Sequence, residues 1–332
     1  MTAVVATADI SAKGENMGNS GKTTLDSQAR ESAAGNSAAL LDRITALVPA
    51  AIASIFLFGP RSLLVMAVAV ASSVLSELAA RKLWKKRGAG GLNAAVDGLL
   101  LALVLPVSIS WLIAALGGIL TAAARRLTVR RGKTLFCPAV VADLLLALLF
   151  PAAMSGWSRP FLYLHPEEAA AFVQPSELLR QSAETVRFPG PFQLLVGVRA
   201  GGLGETCILA LLLGGIYLCA RRTADFLPPL CSLGTAALFS LCLGRSVPVD
   251  LLSGSLVLAS FFLITDPASS PDGKTGKAVF AALFGAAALL LRRFFGFPAG
   301  DLCAVALADL LVPLLDGGKF PNRLHGKGRK DG

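Results

Sequence analysis

Histidine, tyrosine and tryptophan are scarce in this sequence, which has two, two and three of them among its 332 residues. With only His165 and His325 present, a haem or zinc centre held by histidine is not expected. No C-x-x-C pair occurs among the cysteines, so neither a disulfide framework nor a thiolate iron–sulfur site is indicated. The cysteines are Cys137, Cys207, Cys219, Cys231, Cys242 and Cys303. The sequence therefore predicts no metal site, and any redox cofactor is expected to be organic.

Charged residues are also few, at 16% of the chain, whereas hydrophobic residues make up 54% and the mean hydropathy is +0.66. These values are typical of an integral membrane protein rather than an ordinary soluble one. The net charge of +10 comes largely from Lys and Arg in short connections between apolar segments. That distribution indicates membrane orientation, so the expected partner is a lipid bilayer and no nucleic acid is expected.

Ten apolar segments lie along the chain, five on each side of a long polar stretch. They run from 44 to 58, 62 to 80, 95 to 105, 107 to 124, 136 to 154, 203 to 220, 226 to 243, 249 to 265, 277 to 291 and 299 to 315. Several are shorter than the ~20 residues of a straight membrane helix. Those near Pro106, Pro267 and Pro298 are expected to be broken or half-helices. The predicted fold class is an all-α integral membrane protein with about ten transmembrane helices.

The two groups of five segments resemble each other. ARRL at 124–127 precedes VADLL at 141–145, and LRRF at 291–294 precedes LADLL at 307–311. Because each group has an odd number of segments, the copies are predicted to cross the membrane in opposite directions, as two inverted five-helix repeats. The predicted divisions are a disordered cytoplasmic N-terminal tail, a first repeat, an external linker, a second repeat and a basic cytoplasmic tail, at 1–40, 41–154, 155–202, 203–316 and 317–332.

The distribution of basic residues predicts the orientation, because cytoplasmic loops carry an excess of Lys and Arg. Most basic residues fall inside if the ten segments alternate from a cytoplasmic N-terminus. Both termini are therefore predicted to be cytoplasmic. Arg292 and Arg293, at the external end of a segment, are the clearest exceptions.

Acidic residues within apolar segments are costly in a membrane and often mark function. Asp143 and Asp309 occupy matching places in the two repeated motifs. They are candidates for an ion or proton pathway, with a structural hydrogen bond between helices as the alternative. Other acidic residues lie at segment ends, where capping or solvation at the interface explains them, namely Glu77, Asp97, Asp266 and Asp316.

A glycine-rich turn, GGLGET at 201–206, leads into the sixth apolar segment. The start of such a helix presents free backbone amides, and small residues let a ring or phosphate approach closely. The candidate ligand-binding residues are Gly202, Gly204, Glu205 and Thr206. The alternative is ordinary packing through small residues, which Gly214 and Gly215 in the same segment also favour.

Several motifs taken together resemble the NqrB/RnfD family of ion-translocating electron-transport subunits, and within it the D subunits of Rnf complexes. They are PAAIASIFLFGPRSLL, VDGLLLALVLP, TLFCPAVV, GGLGETCILALLLGGIYL, LLSGSLVLASFFLITDPASSP and FGFPAGDLCAVALADLLVPLLD, spread from 49 to 316. The resemblance implies a multi-pass subunit in a bacterial or archaeal cytoplasmic membrane. It also implies electron transfer between a ferredoxin-type carrier and NAD, coupled to Na⁺ or H⁺ movement. The other subunits of the complex share this activity, and no catalytic side chain is expected in this chain.

The resemblance also implies FMN, attached by a phosphoester bond to a threonine in a motif like S-G-A-T in the external linker. Ser182-Ala183-Glu184-Thr185 occupies that place, so Thr185 is the expected attachment residue. The four residues of the glycine-rich turn are expected to shape the flavin region, and a second, noncovalent flavin is a further implication.

Some positions depart from the family's pattern. Ala183 and Glu184 replace the Gly and Ala of the attachment motif, Cys137 replaces the Asn of an FNPA motif, and Asp309 stands where an Asn is expected. A divergent secondary transporter or channel with the same fold and no flavin is therefore the alternative function, with Asp143 and Asp309 lining its cation path. A structural scaffold within the complex is a third.

Overall fold

A computed structural model of the chain describes residues 36–84, 90–130, 133–158, 160–161, 191–197, 199, 201–267, 269–271, 273–294 and 300–315. The predicted attachment residue Thr185, most of the linker, and the C-terminal tail lie outside the described residues. The described part of the first helix runs from Asn36 and so includes the last five residues of the predicted N-terminal tail.

The first half forms helices α1 to α6. Their bounds are Asn36–Phe58 (α1), Pro60–Trp84 (α2), Gly91–Val104 (α3), Trp111–Thr128 (α4), Pro138–Leu149 (α5) and Pro151–Met154 (α6). Gly59 separates α1 from α2 with a positive φ of 77°, which a residue with a side chain rarely adopts. A short antiparallel hairpin of Val129–Arg130 and Lys133–Thr134 joins α4 to α5.

The second half follows a short helix in the linker. Its helices are Pro191–Val196 (α7), Ile208–Ala220 (α8), Leu227–Cys242 (α9), Val247–Leu252 (α10), Leu256–Leu258 (α11), Lys274–Phe294 (α12) and Gly300–Leu315 (α13). A π-helix, Ala259–Leu263, continues directly from α11.

Each of the ten predicted apolar segments contains at least one of these helices, so the helical fold class is confirmed for the described chain apart from the hairpin. Three helices are long and apolar enough to cross a membrane, over Asn36–Phe58, Pro60–Leu83 and Lys274–Arg292. A membrane crossing by the shorter helices, the total of ten spans and the inverted repeat stay predictions.

Large apolar side chains point outward while charged side chains lie inside. Phe56 is 68% exposed and Leu148 is 78% exposed, whereas Glu77 and Asp143 are each 1% exposed. In water this arrangement would place a broad apolar surface against solvent. Against lipid the same surface is compatible with its surroundings, so the side-chain distribution agrees with a membrane protein.

The segment near Pro106 forms a short helix and the segment near Pro267 is interrupted, as expected for both. Helix α3 ends at Val104, and Leu105 is extended just before Pro106, which cannot continue a helix. The segment near Pro267 is broken at Gly254, whose φ is +65°, between α10 and α11. The region around Pro298 lies outside the described residues.

The two halves share a packing pattern. In the first half α2 packs against α4, and in the second half α9 packs against α12. Helix α5, the last long helix of the first half, contacts α13, the last described helix of the second half, and this contact joins the halves. The expected role of Gly214 and Gly215 in close helix packing is confirmed, because a Cβ at these glycines would meet the Ala46 carbonyl oxygen and the Phe261 ring, respectively.

We expect Gly214→Ala to destabilise the protein by about 1–3 kcal/mol, since overpacking forces helices apart. Gly234 in α9 is the matched control, because a Cβ there meets no atom within 4 Å. Gly234→Ala should be neutral or stabilising by about 0.5–1 kcal/mol. Equilibrium unfolding of the purified variants in detergent measures both changes, and equal effects would contradict the packing role.

Candidate functional site

A buried ion pair joins the ends of α12 and α13. Arg292 Nε donates to Asp301 Oδ1 at 2.6 Å and Arg292 Nη2 donates to Asp301 Oδ2 at 2.5 Å. The side chains are only 3% and 5% exposed. Two parallel bonds of this kind fix the orientation of both groups as well as neutralising them.

The same pair bonds the backbone groups that the break at Gly254 leaves free. Arg292 donates to the carbonyl oxygens of Asp250 and Ser253, both at 2.7 Å. The backbone N–H of Ser255 donates to Asp301 Oδ2 at 2.9 Å. In apolar surroundings each unbonded backbone group would be costly, so these contacts are what allows the helix to be interrupted.

Arg199 from the linker completes this group. Its guanidinium donates to the Gly254 carbonyl oxygen at 3.1 Å and to the Glu205 carbonyl oxygen. Burial lowers the pKa of Arg199 to about 10, although nearby Glu205 opposes the shift, so Arg199 stays protonated at neutral pH. We refer to Arg199, Glu205, Arg292 and Asp301 as the Arg292 cluster.

The four predicted residues of the glycine-rich turn are brought together, and they all make contacts within the chain. Glu205 Oε1 accepts from the Gly202 N–H at 2.7 Å, and Thr206 Oγ1 donates to the Leu203 carbonyl oxygen at 3.4 Å. A Cβ at Gly202 would meet the Val104 carbonyl oxygen. The turn therefore packs on the end of α3, and flavin contact by these residues stays a prediction.

This turn also satisfies the backbone at the end of α3. The Leu203 N–H donates to the Leu105 carbonyl oxygen at 3.0 Å, and the Gly204 N–H donates to the Leu103 carbonyl oxygen at 2.6 Å. In both segments, free carbonyl groups are bonded by residues that precede α8, namely the glycine-rich turn for α3 and Arg199 for the break at Gly254.

A second buried charge group involves the ends of α1, α3 and α4. Arg125 forms an ion pair with Asp97, and Arg43 pairs with Asp266 at 3.0 Å. Asp97 lies near enough to Asp266 and Arg43 to interact with them electrostatically. We refer to Arg43, Asp97, Arg125 and Asp266 as the Arg125 cluster.

The predicted location of the segment-end acids at a solvated interface is wrong for the three that the structure describes. Asp97 and Asp266 lie in the Arg125 cluster, and Glu77 is bonded by Arg126 Nε at 3.2 Å and by Arg81 Nε at 3.3 Å. All three acids are buried, at 8% exposed or less. The interior of the bundle, rather than solvent, provides their partners, because basic side chains of the same helix or of neighbouring helices lie against them.

Asp143 and Asp309 lie in α5 and α13, the two helices that join the halves. Asp309 Oδ2 accepts from the Cys137 N–H at 2.9 Å, at the start of α5. Asp143 lies further along α5 and interacts electrostatically with Glu205 and with Cys303 in α13. The two helices therefore run past each other in opposite directions.

Each of these aspartates lies near the cluster at one end of the bundle. Asp309 is close to Asp266 of the Arg125 cluster, and Asp143 is close to Glu205 of the Arg292 cluster. Both residues are 1% exposed. Cys137 and Asp309, two positions that depart from the resembled family, are direct neighbours.

Sequence reasoning missed Arg199, Asp301 and Arg43 as members of buried clusters. One signal for the Arg292 cluster was available, because Arg292 violates the charge rule for external loops. Its burial against Asp301 explains the violation, since a paired and buried Arg takes no part in setting orientation. Arg43 has no such indication in the sequence, because it lies at a segment end that is predicted to be cytoplasmic, where basic residues are expected.

The comparison with known proteins decides the family. Residues 29–324 match the profile of the NQR2, RnfD, RnfE family, which covers most of the chain. The chain belongs to the NQR2, RnfD, RnfE family. The resemblance to NqrB/RnfD proteins predicted from the motifs is therefore confirmed.

Curated relatives of this family member include the D subunits of ion-translocating complexes. The chain is 31% identical over 277 residues to the D subunit of the Na⁺-translocating ferredoxin:NAD⁺ oxidoreductase complex of Acetobacterium woodii, covering 82% of this chain and 86% of that protein. It is 28% identical over 288 residues to the D subunit of the proton-translocating ferredoxin:NAD⁺ oxidoreductase complex of Clostridium ljungdahlii, with the same coverage. The D subunit of the ion-translocating oxidoreductase complex of Stutzerimonas stutzeri is 31% identical over 310 residues, covering 82% of this chain and 87% of that protein.

We expect Asp301→Ala to lower the free energy of unfolding by about 3–5 kcal/mol, because it leaves Arg292 buried without its partner. Asp225→Ala is the matched control, since Asp225 pairs with Lys277 at the opposite end of α12 and its side chain is 59% exposed. That change should cost less than about 1 kcal/mol. Denaturant unfolding of both variants checks the difference, and a small effect of Asp301→Ala would show that the cluster does not hold the helix break.

Proposed function

We propose that this protein is a membrane subunit of an Rnf-type complex, which relays electrons between ferredoxin-linked and NAD-linked partners while ions cross the membrane. The observation that carries the proposal is the family match over residues 29–324. The names of the relatives from Acetobacterium woodii and Clostridium ljungdahlii support it, since both are D subunits of ferredoxin:NAD⁺ oxidoreductase complexes. The other subunits of such a complex are then the protein's partners.

The proposed topology is ten membrane segments in two inverted repeats, with both termini in the cytoplasm of a bacterial or archaeal cell. The shared packing of α2 on α4 and of α9 on α12 supports the repeat. The opposite directions of α5 and α13 support its inversion. The excess of Lys and Arg in the connections assigned to the cytoplasm supports the orientation.

The proposed cofactor is FMN, attached to Thr185 in the external linker. The flavin supplies one-electron redox chemistry, whereas the protein holds it at a defined place and distance from its partners. The motif Ser182-Ala183-Glu184-Thr185 supports this attachment. A second, noncovalent flavin beside the glycine-rich turn belongs to the same proposal.

The proposed ion pathway uses Asp143 and Asp309. Both are buried in helices at the contact between the two halves, where an inverted repeat places its binding sites. The coupling ion is Na⁺ or H⁺, and the relatives' names include examples of both.

Thr185→Ala should abolish covalent flavin. The full chain, purified from cells that express the flavin transferase, should show flavin fluorescence after acid denaturation, and its 155–202 peptide should carry the added mass of FMN. Ser176→Ala, in the same linker, is the control and should keep both signals. A wild-type protein without the added mass, or a Thr185→Ala variant that retains it, would remove the attachment from the proposal.

A secondary transporter or channel without flavin is the second candidate function. Two observations favour it, namely the buried carboxyls in α5 and α13 and the presence of Glu184 where the attachment motif has a small residue. The visible absorption spectrum of the purified protein separates the two functions. Oxidised flavin absorption supports the electron carrier, colourless protein with cation uptake into liposomes supports the transporter, and neither signal supports a structural scaffold.

A further inference from the structure

Asp143 and Asp309 each have a buried carboxylate oxygen for which the described part of the chain provides no hydrogen-bond partner. These are Asp143 Oδ1 and Asp309 Oδ1. Among the described residues neither aspartate forms a salt bridge, although both side chains are almost completely buried. An ionised carboxylate without a partner in apolar surroundings is strongly disfavoured.

The surroundings of Asp309 contain acidic groups and already paired cations. Asp266 from the segment after the π-helix and Cys137 from α5 are its titratable neighbours. Asp97 from α3 also lies near Cys137. The nearby cations Arg43 and Arg125 are engaged, because they pair with Asp266 and Asp97, respectively.

Asp143 has equivalent surroundings at the other cluster. Glu205 from the glycine-rich turn and Cys303 from α13 are its titratable neighbours. The cations of that cluster are Arg292, which bonds both oxygens of Asp301, and Arg199, which bonds backbone carbonyl groups. The first half therefore contributes Asp143, which lies beside the Arg292 cluster, and the second half contributes Asp309, which lies beside the Arg125 cluster. Neither aspartate takes part in the ion pairs of these clusters.

A proton fits these sites better than a metal cation. A metal cation needs room for itself and for several oxygen ligands at defined distances. The unpartnered oxygens have almost no accessible surface. A proton occupies no additional volume, and by forming one O–H bond it converts the carboxylate into a neutral group.

We propose that Asp143 and Asp309 are a pair of proton-binding carboxyls, one from each half, and that they make H⁺ the ion bound by this subunit. This inference rests on the ion-translocating function proposed above and names its ion. Cys137 and Asp143 are six residues apart in α5, about 9 Å along a helix axis. Because Asp309 bonds Cys137, a proton passing between the two aspartates needs a water molecule or a helix movement to bridge that distance.

Dicyclohexylcarbodiimide tests the proposal, because it reacts with protonated carboxyls in apolar surroundings. The full chain in lipid nanodiscs is labelled at a series of pH values, with and without Na⁺, and the adducts are located by mass spectrometry. Adducts are expected on Asp143 and Asp309, falling about tenfold per pH unit above the midpoint and unchanged by Na⁺. Asp301, whose oxygens both bond Arg292, is the internal control and should remain unlabelled.

Protection of either aspartate by Na⁺ at constant pH would overturn the proposal in favour of a sodium site. Equal labelling of Asp301 would show that the reagent does not report on unpaired carboxyls in this protein. In that case, infrared difference spectroscopy decides, through the carbonyl stretch of a protonated carboxyl. The band should be lost stepwise in Asp143→Asn and Asp309→Asn, and its absence from the wild-type protein would also overturn the proposal.

These measurements require no electron transfer and no partner subunit. A failure of proton binding is therefore distinguishable from a failure of the electron-transport function, which the flavin on Thr185 tests separately. The asparagine variants keep the size of the side chain and a carbonyl oxygen that accepts the Cys137 N–H, so they preserve the contact at Asp309.

Discussion

The helix break at Gly254 leaves backbone N–H and C=O groups without their usual helical partners. In the apolar interior of the bundle these groups need other hydrogen-bond partners. Arg292 and Asp301 meet this requirement together, because one bonds the carbonyl oxygens before Gly254 and the other bonds the amide after it. The two charges also neutralise each other, so both side chains can be buried in the bundle without leaving an unpaired charge. The positions of α10, α11, α12 and α13 all depend on this arrangement, since each contributes an atom to it or adjoins one that does.

The two buried clusters organise the molecule around the contact of α5 and α13. Helix α5 begins beside the Arg125 cluster and carries Asp143 towards the Arg292 cluster, whereas α13 begins within the Arg292 cluster and carries Asp309 towards the Arg125 cluster. Paired charges at both ends support the fold, and the two aspartates remain outside those pairs. Asp309 also has a structural contact, because it accepts the Cys137 N–H and so joins α13 to the start of α5.

Hydropathy and proline positions were enough to predict where the helices lie. Apolar segments depend on local composition, and Pro106 ends α3 through its own backbone restriction. The buried ion pairs were not predictable in the same way, because Arg43 and Asp266 are 223 positions apart in the chain and meet only in the folded protein. The matching VADLL and LADLL motifs did identify Asp143 and Asp309, since a repeated acid in an apolar segment is visible in one sequence. Gly202 and Gly204 of the turn at 201–206 lie against α3, which agrees with the packing alternative, whereas their contact with a flavin stays a prediction.

The proximity of Arg292 and Asp301 along the chain also bears on how the protein is made. An unpaired charged residue is costly to bring into the membrane during insertion from the translocon. Arg292 and Asp301 are nine positions apart, at the facing ends of consecutive helices. If α12 and α13 leave the translocon together as a hairpin, the pair enters lipid already neutralised. Helices α12 and α13 are thus expected to be inserted as one unit, and a ribosome pausing between them would leave an unpaired guanidinium at the membrane surface.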